Sequence, residues 1–511
     1  MSLPLPAFLR KKRPEAGAPS PHAKRFASPS GASRQAPAGL SAVVIGGGLA
    51  GLAAATILAE RGVKTTLLER EATLGGRLAS WPITLPDGAR LEMERGFHAF
   101  FRQYYNVRQM MRRWDPALSH LVPLRDYPIL GPGGELLRFD RLPRRPPWNV
   151  AAAALRARHW LTLRDLTKVD IGRALAMVSA SESATLTRDR ETAKAYLDGL
   201  NFPPEARRML FDVFAHSFFN PEETMSAAEL LMMFRYYFTA NPEGLVFDVL
   251  DEPFSASFIG PWARHLELLG VTLATGTAAQ SIQRRDRGFA VETAAGPHLA
   301  DLVVLATEVP GLHALAKTSD VFSARDRTRL ESLDVTAPFA VWRLFLDRPA
   351  AAHRDPFAGT AGLGRLDNIS IYERLEGESR RYLQSRGGPS STASAASIVE
   401  LHAYGLDTPF DEDALKAELR AGLDRLYPEL AGARVLHDEW LVRQDCPAFP
   451  PGSYTSRPTV ETDTAGLTLA GDFVRLPFPS ALMERAVTSG IHAANILLSA
   501  HRVEPEPLWH L

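Results

Sequence analysis

An α/β fold, α+β over the whole chain, is predicted by three observations. Ala42 to Ile45 and Lys64 to Leu68 have the length and composition of buried strands, and the Ala-rich Leu49 to Glu60 between them reads as a helix stopped by Gly62. The turn from the first strand into that helix is G-x-G-x-x-G, filled by Gly46, Gly48 and Gly51. Two later stretches supply further strand candidates and a closing helix in the order of a return to the same sheet. Together they describe a discontinuous Rossmann-like domain in three parts, residues 41–115, 265–335 and 436–500. A mixed helix and sheet substrate domain occupies 116–264 and 336–435, with tails at 1–40 and 501–511.

Each glycine of the turn has a physical task. The first permits the tight turn, the second lets backbone approach a pyrophosphate, and the third lets helix and strand pack closely. The helix N-terminus, with free N–H groups and partial positive charge, suits a diphosphate. Glu69 closes the second strand eighteen residues past Gly51, where a carboxylate accepts hydrogen bonds from a ribose. The unit predicts dinucleotide binding, against a plain βαβ unit that holds no nucleotide.

Composition excludes several classes. At 511 residues the chain can bury a large core, with a soft expectation of about three domains. Fifty-eight basic residues balance fifty-eight acidic ones, so no bulk attraction to nucleic acid is expected. Cys446, the single cysteine, excludes a disulfide framework, a four-thiolate zinc site and a cysteine-ligated iron–sulfur cluster within the chain, and no metal is expected. No run reaches the roughly 18 uncharged apolar residues of a spanning helix. The expectation is a cytoplasmic protein, soluble or peripheral at a membrane. Residues 1–40 carry Arg10, Lys11, Lys12, Arg13, Lys24, Arg25 and Arg34 against one acid, Glu15, and read as a disordered basic tail.

The second part of the nucleotide domain offers strands at Val271 to Ile282, Phe289 to Thr293 and Ala300 to Thr307. In the third part a strand, Thr468 to Phe473, ends in Gly471-Asp472, and a helix begins near Ser480 and runs through Met483 and Glu484 to Ile496. Asp472 there can meet diphosphate or ribityl hydroxyls, or serve as a turn residue. In the substrate domain, residues 148–240 read as mainly helical. Ala337 to Leu346, Asn368 to Tyr372 and Ile398 to Tyr404 read as strands, with a Gly/Ser/Ala-rich loop from Gly387 to Ser397.

Leu74-Gly75-Gly76-Arg77 resembles the L-G-G-R extension of the FAD-dependent amine oxidase and carotenoid desaturase superfamily. The resemblance implies FAD as the cofactor, with the loop at Gly76 wrapping its diphosphate and Arg77 near a phosphate. It further implies adenine contact at Ala279 and a C-terminal motif of Gly471, Asp472 and Met483. Glu94-Arg95-Gly96-Phe97-His98-Ala99-Phe100-Phe101-Arg102-Gln103-Tyr104-Tyr105-Asn106 is more discriminating. It resembles the bacterial carotenoid φ-ring synthases, also called isorenieratene synthases, as do the stretches 241–250 and 340–349.

That resemblance, over about residues 41–500, implies desaturation and aromatisation of the β-ionone ring of β-carotene with a 1,2-methyl migration. It also implies an external electron acceptor. Glu94 and Glu484 are candidates for cation stabilisation or proton removal, and His98 either works near the flavin or is a packed core histidine. A carotene needs an apolar tunnel, for which Leu230 to Phe238 is a candidate wall. Arg141, Arg144, Arg145, Trp148, Arg156, Arg158, Trp160 and Arg164 suit an interfacial helix on anionic lipid, or a solvated basic face. The rival readings are another carotene desaturase, a flavin amine oxidase, and a non-catalytic FAD-fold protein resembling the GDP-dissociation inhibitors.

Overall fold

The computed structural model describes residues 18–28, 31–124, 126–139, 143, 152, 163–179, 181–209, 216, 218–239, 243, 247–386 and 396–511. A five-stranded, wholly parallel sheet orders Thr272–Ala274, Lys64–Leu68, Ser41–Ile45, Leu302–Leu305 and Leu467–Leu469 side by side. All three separated sequence segments thus meet in one sheet. Its central strands are apolar without alternation because both faces are covered. The helix Leu49–Glu60 is buried along most of its length and lies against the helix Leu482–Ser499. Small residues make that closeness possible: a Cβ at Gly490 would fall 2.1 Å from the Ala50 carbonyl oxygen. A three-stranded antiparallel sheet, Ala279–Arg284, Phe289–Thr293 and His298–Ala300, follows the Thr272–Ala274 strand.

The second body is a seven-stranded mixed sheet in the order Val435–Arg443, Phe339–Leu346, Ser397–Ala403, Asn368–Ile371, Phe357–Thr360, Ile129–Leu130 and Leu136–Leu137. The helix Glu412–Leu426 covers it through Leu415, Leu419 and Leu423, one face at i, i+4 and i+8. The domain boundary expected at 436 needs correction. Val435–Arg443 pairs along its length with Phe339–Leu346 and is the edge strand of this second sheet. Its composition marks it as a strand but carries no signal for which sheet it joins.

The leader and the C-terminus also differ from expectation. Lys24–Arg25 pairs antiparallel with Trp509–His510, and Ala23 packs with Tyr105 and Trp509. The Phe26 ring meets Phe478 at 5.2 Å. The composition argument against a core in residues 1–40 holds for an isolated segment, but a few apolar side chains suffice to dock it on a body already folded. Arg10 to Arg13 lie outside the described residues, as do Arg141, Arg144, Arg145, Trp148, Arg156, Arg158, Trp160 and most of the Gly387 to Ser397 loop. Among the described residues no helix is long and apolar enough to cross a membrane, and no group of three or more metal-ligating side chains occurs.

Candidate active site

The glycine turn shows three different environments. Gly46 has φ of 109°, and a Cβ there would fall 2.5 Å from the Ala306 oxygen. A Cβ at Gly51 would fall 1.9 Å from the Gly46 oxygen, inside the strand–helix contact. Gly48 meets nothing closer than the Gly76 Cα at 3.9 Å, so no protein group demands a glycine there. Open space over a backbone that begins a helix is what a diphosphate needs, and the residues present fit FAD. The second loop closes on the first: Gly75 N–H donates to the Gly47 oxygen at 2.8 Å, and Gly76, at φ of 58°, lies against Gly48.

Glu69 is buried, and its carboxylate accepts from Gly47 N–H at 2.6 Å and from Glu71 N–H at 2.8 Å. It therefore ties the glycine turn to the end of the second strand, while lone pairs remain for a ribose. Thr277 N–H donates to the Glu69 carbonyl oxygen at 2.8 Å, which brings the start of the Ala279–Arg284 strand beside this corner.

Gly471 and Asp472 follow the last parallel strand. Gly471 N–H donates to Ser489 Oγ at 2.8 Å, and the buried Asp472 accepts two hydrogen bonds from Arg77, Nη1 to Oδ2 at 2.9 Å and Nη2 to Oδ1 at 2.6 Å. Arg77, expected at a phosphate, thus joins the first and third motifs directly. Arg485 donates to the Asp472 carbonyl oxygen at 3.2 Å and to the Ser480 oxygen at 2.9 Å. Its other partner, Glu229, also accepts from Arg457 at 2.9 Å. Burial pushes the Glu229 carboxyl up, but Arg457 and Arg485 outweigh it and hold the group below its ordinary value. The helix Leu482–Ser499 starts at Leu482 with φ of 47°, and Met483 packs partly buried behind it. Burial pushes the nearby Cys446 thiol up to about 11, leaving it protonated and unreactive.

The carboxyl candidates do not take the roles expected of them. Glu484 accepts from Asn106 N–H at 2.8 Å, Asn106 Nδ2 at 2.8 Å and Val107 N–H at 3.0 Å, so it caps the helix Tyr105–Met111. Burial moves its pKa to about 7, but its donors are already in place and it faces backbone. Glu94 is buried and accepts from Phe254 N–H at 2.7 Å. Burial, then the neighbouring Glu376, raises its pKa well above the carboxylate range, which disfavours the charged form that cation stabilisation needs.

His98 fits better. Its Nδ1 lies 2.8 Å from the Gly96 oxygen. A carbonyl only accepts, so Nδ1 carries the proton and Nε2 presents a lone pair. Burial holds the ring at a pKa of about 4, hence neutral at physiological pH. The bond to Gly96 and the charge of Glu400 oppose that shift, while His402 and Arg77 add to it. Its ring meets Phe254 at 5.3 Å, and the flanking Phe97 opens an aromatic wall: Phe97 stacks on Phe357 at 4.1 Å, Tyr127 meets Phe357 at 5.1 Å, and Phe101 meets Tyr237 at 4.7 Å. Tyr237 belongs to the segment expected to line a tunnel, and like Leu230, Leu231 and Met233 it is buried in the main core.

Sequence reasoning missed a polar cluster next to this wall, formed by Arg343, Glu400, His402 and Tyr404. The available signal was alternation: Glu400, His402 and Tyr404 recur every second residue along a strand and so share a face.

With this geometry the comparisons can be placed. Residues 49–498 match the model of the flavin containing amine oxidoreductase family, the class that the parallel sheet, glycine cradle and paired loop define. The chain is 42% identical over 94% of its length, and 92% of the relative's, to the carotenoid phi-ring synthase of Streptomyces griseus. A second carotenoid phi-ring synthase, from Chlorobaculum tepidum, is 25% identical over 91% of this chain and 90% of its own. Putrescine oxidase in complex with putrescine shares the fold with TM-score 0.61 at 15% identity, covering 90% of this chain and 99% of its own. The protein is an FAD-dependent oxidoreductase, and within that class it belongs to the carotenoid φ-ring synthase family.

Proposed function

We propose that this protein oxidises the cyclic end group of β-carotene to an aromatic φ ring, moving one methyl of the gem-dimethyl carbon to its neighbour. The observation that carries the reading is the near full-length similarity to the Streptomyces griseus carotenoid phi-ring synthase. It is supported by a neutral His98 packed on Phe254 and by the aromatic wall of Phe97, Phe357 and Tyr127. Bound FAD supplies the hydride-accepting chemistry that no side chain has.

The chain's own residues bind, orient and manage protons. The turn at Gly48 and the loop at Gly76 enclose the diphosphate, Arg77 and Asp472 lock that enclosure, and the aromatic wall aligns a polyene by apolar contact. A quaternary ring carbon blocks aromaticity, so a methyl must migrate once a neighbouring centre becomes electron-poor. His98, neutral and held by the Gly96 carbonyl, orients the substrate ring. Electrons leave to an external acceptor.

The substrate also argues for peripheral membrane contact, because a carotene resides in lipid. Ile171 and Leu175, one turn apart on the helix Ile171–Ser179, are 63% and 59% exposed and follow closely on the basic segment ending at Arg164. Incubating the holoprotein with β-carotene vesicles and an external oxidant, then identifying the pigment, tests the reading. An aromatic end group supports it; unchanged β-carotene with consumption of acyclic carotenes overturns it.

A further inference from the structure

We propose that Tyr404, His402 and Glu400 form a buried proton relay that takes up the proton released as the substrate ring becomes aromatic. The inference rests on the carotene-oxidising function above and adds residues outside the glycine and His98 motifs.

The relay is built on one strand face. His402 Nε2 lies 2.8 Å from Glu400 Oε1, and His402 Nδ1 lies 2.6 Å from the Tyr404 hydroxyl. Glu400 Oε2 accepts from Arg343 Nε at 2.9 Å and lies 2.8 Å from Arg343 Nη2. Arg343 and His402 keep this carboxylate ionised despite its burial. An ionised carboxylate only accepts, so His402 Nε2 carries a proton, and in the neutral imidazole Nδ1 then presents its lone pair. The Tyr404 hydroxyl then donates to Nδ1, while Asn368 Nδ2 donates to the Tyr404 oxygen at 2.9 Å and fixes its direction. A hydroxyl on an imidazole held by a carboxylate is the arrangement that makes an oxygen ready to exchange protons.

The position of the cluster ties it to the site. A Cβ at Gly96 would fall 2.5 Å from His402 Cε1, and Gly96 has φ of 99°, so only glycine lets the segment carrying His98 lie on this imidazole. The Tyr404 ring remains partly accessible, meets Phe219 at 4.6 Å, and lies near Tyr127 of the aromatic wall.

Atoms and charge balance as follows. For each new double bond the ring loses a hydride equivalent, which is the chemistry bound flavin supplies, and one proton. The C–H bond beside the electron-poor carbon breaks, and its electron pair becomes the new π bond. The proton joins the Tyr404 oxygen as the original phenolic proton passes to His402 Nδ1. The positive charge ends on an imidazolium facing Glu400.

Tyr404→Phe and His402→Gln test this, with retained flavin absorbance as the check on folding. With whichever carotene bleaches the wild-type flavin anaerobically, both variants should bleach within about twofold of wild type yet form product about a hundredfold more slowly. Equal loss of bleaching and product, or no loss of either, overturns the relay. Independently of turnover, 15N-histidine NMR should find His402 protonated at Nε2 alone, with the Nδ1 signal shifted in Tyr404→Phe; a proton on Nδ1 overturns it. Failure of the β-carotene reading is separate: it appears as wild-type product that is not aromatic.

Discussion

Arg77 and Asp472, 395 residues apart in sequence, hold each other through two parallel hydrogen bonds of 2.9 and 2.6 Å. The pair closes a ring that neither motif closes alone, because Arg77 follows the Gly75-Gly76 loop and Asp472 follows the last strand of the parallel sheet. Arg77→Ala or Asp472→Ala should weaken FAD retention about ten- to hundredfold, the 1.5–3 kcal/mol of a charged hydrogen bond. The double variant should be no worse than the more severe single one. Flavin absorbance after gel filtration checks this, and additive losses would show that the two residues act separately.

Gly48 and Gly51 should respond oppositely to a side chain. Gly48→Val enters open space, so the FAD-free protein should melt within about 0.5 kcal/mol of wild type while losing flavin. Gly51→Val meets the Gly46 oxygen and should unfold the domain. Thermal melting of FAD-stripped samples separates the two, and a folded, flavin-loaded Gly48→Val would contradict the cradle.

Glu229 holds two buried guanidinium groups, Arg457 and Arg485, the second of which supports Asp472. Glu229→Gln should destabilise by about 3–5 kcal/mol, because charges are left buried without compensation. The wild-type carboxylate, with its pKa lowered, contributes stability that is present above about pH 4.5 and is lost as pH falls through the lowered value. Urea titrations across that range should show the wild type losing its advantage over the variant on acidification.

These residues also mark how far sequence carries. The strand, glycine turn, helix and second strand are legible because each depends on near neighbours along the chain. The bond between Arg77 and Asp472, the cap that Glu484 places on Asn106, and the sheet joined by Val435–Arg443 depend on distant partners. No local pattern encodes them. Docking of Lys24–Arg25 on Trp509–His510 was hidden for the same reason. Glu400, His402 and Tyr404 were legible as an alternating polar face, but only their meeting with Arg343 and Gly96 gives that face a place in the site.

His98 titrates at about 4 inside the fold against 6.5 outside it. Between those values the unfolded chain binds the proton first, so stability falls as pH drops from 6.5 towards 4 and this contribution is absent above 6.5. His98→Gln should flatten part of that slope in thermal melts. If His98 is a neutral positioning residue, the anaerobic rate of flavin bleaching by carotene should stay level from pH 8 down to about 5. A fall centred near 6.5 would mean an exposed, ordinary histidine.

The most direct measurement is the fate of the two gem-dimethyl carbons of β-carotene labelled with 13C and turned over by the holoprotein with an external oxidant. One label should remain on its original ring carbon and the other should appear on the adjacent one, both carbons aromatic by NMR. Two labels still sharing one quaternary carbon, or untouched β-carotene while an acyclic carotene or an amine bleaches the flavin, would contradict it.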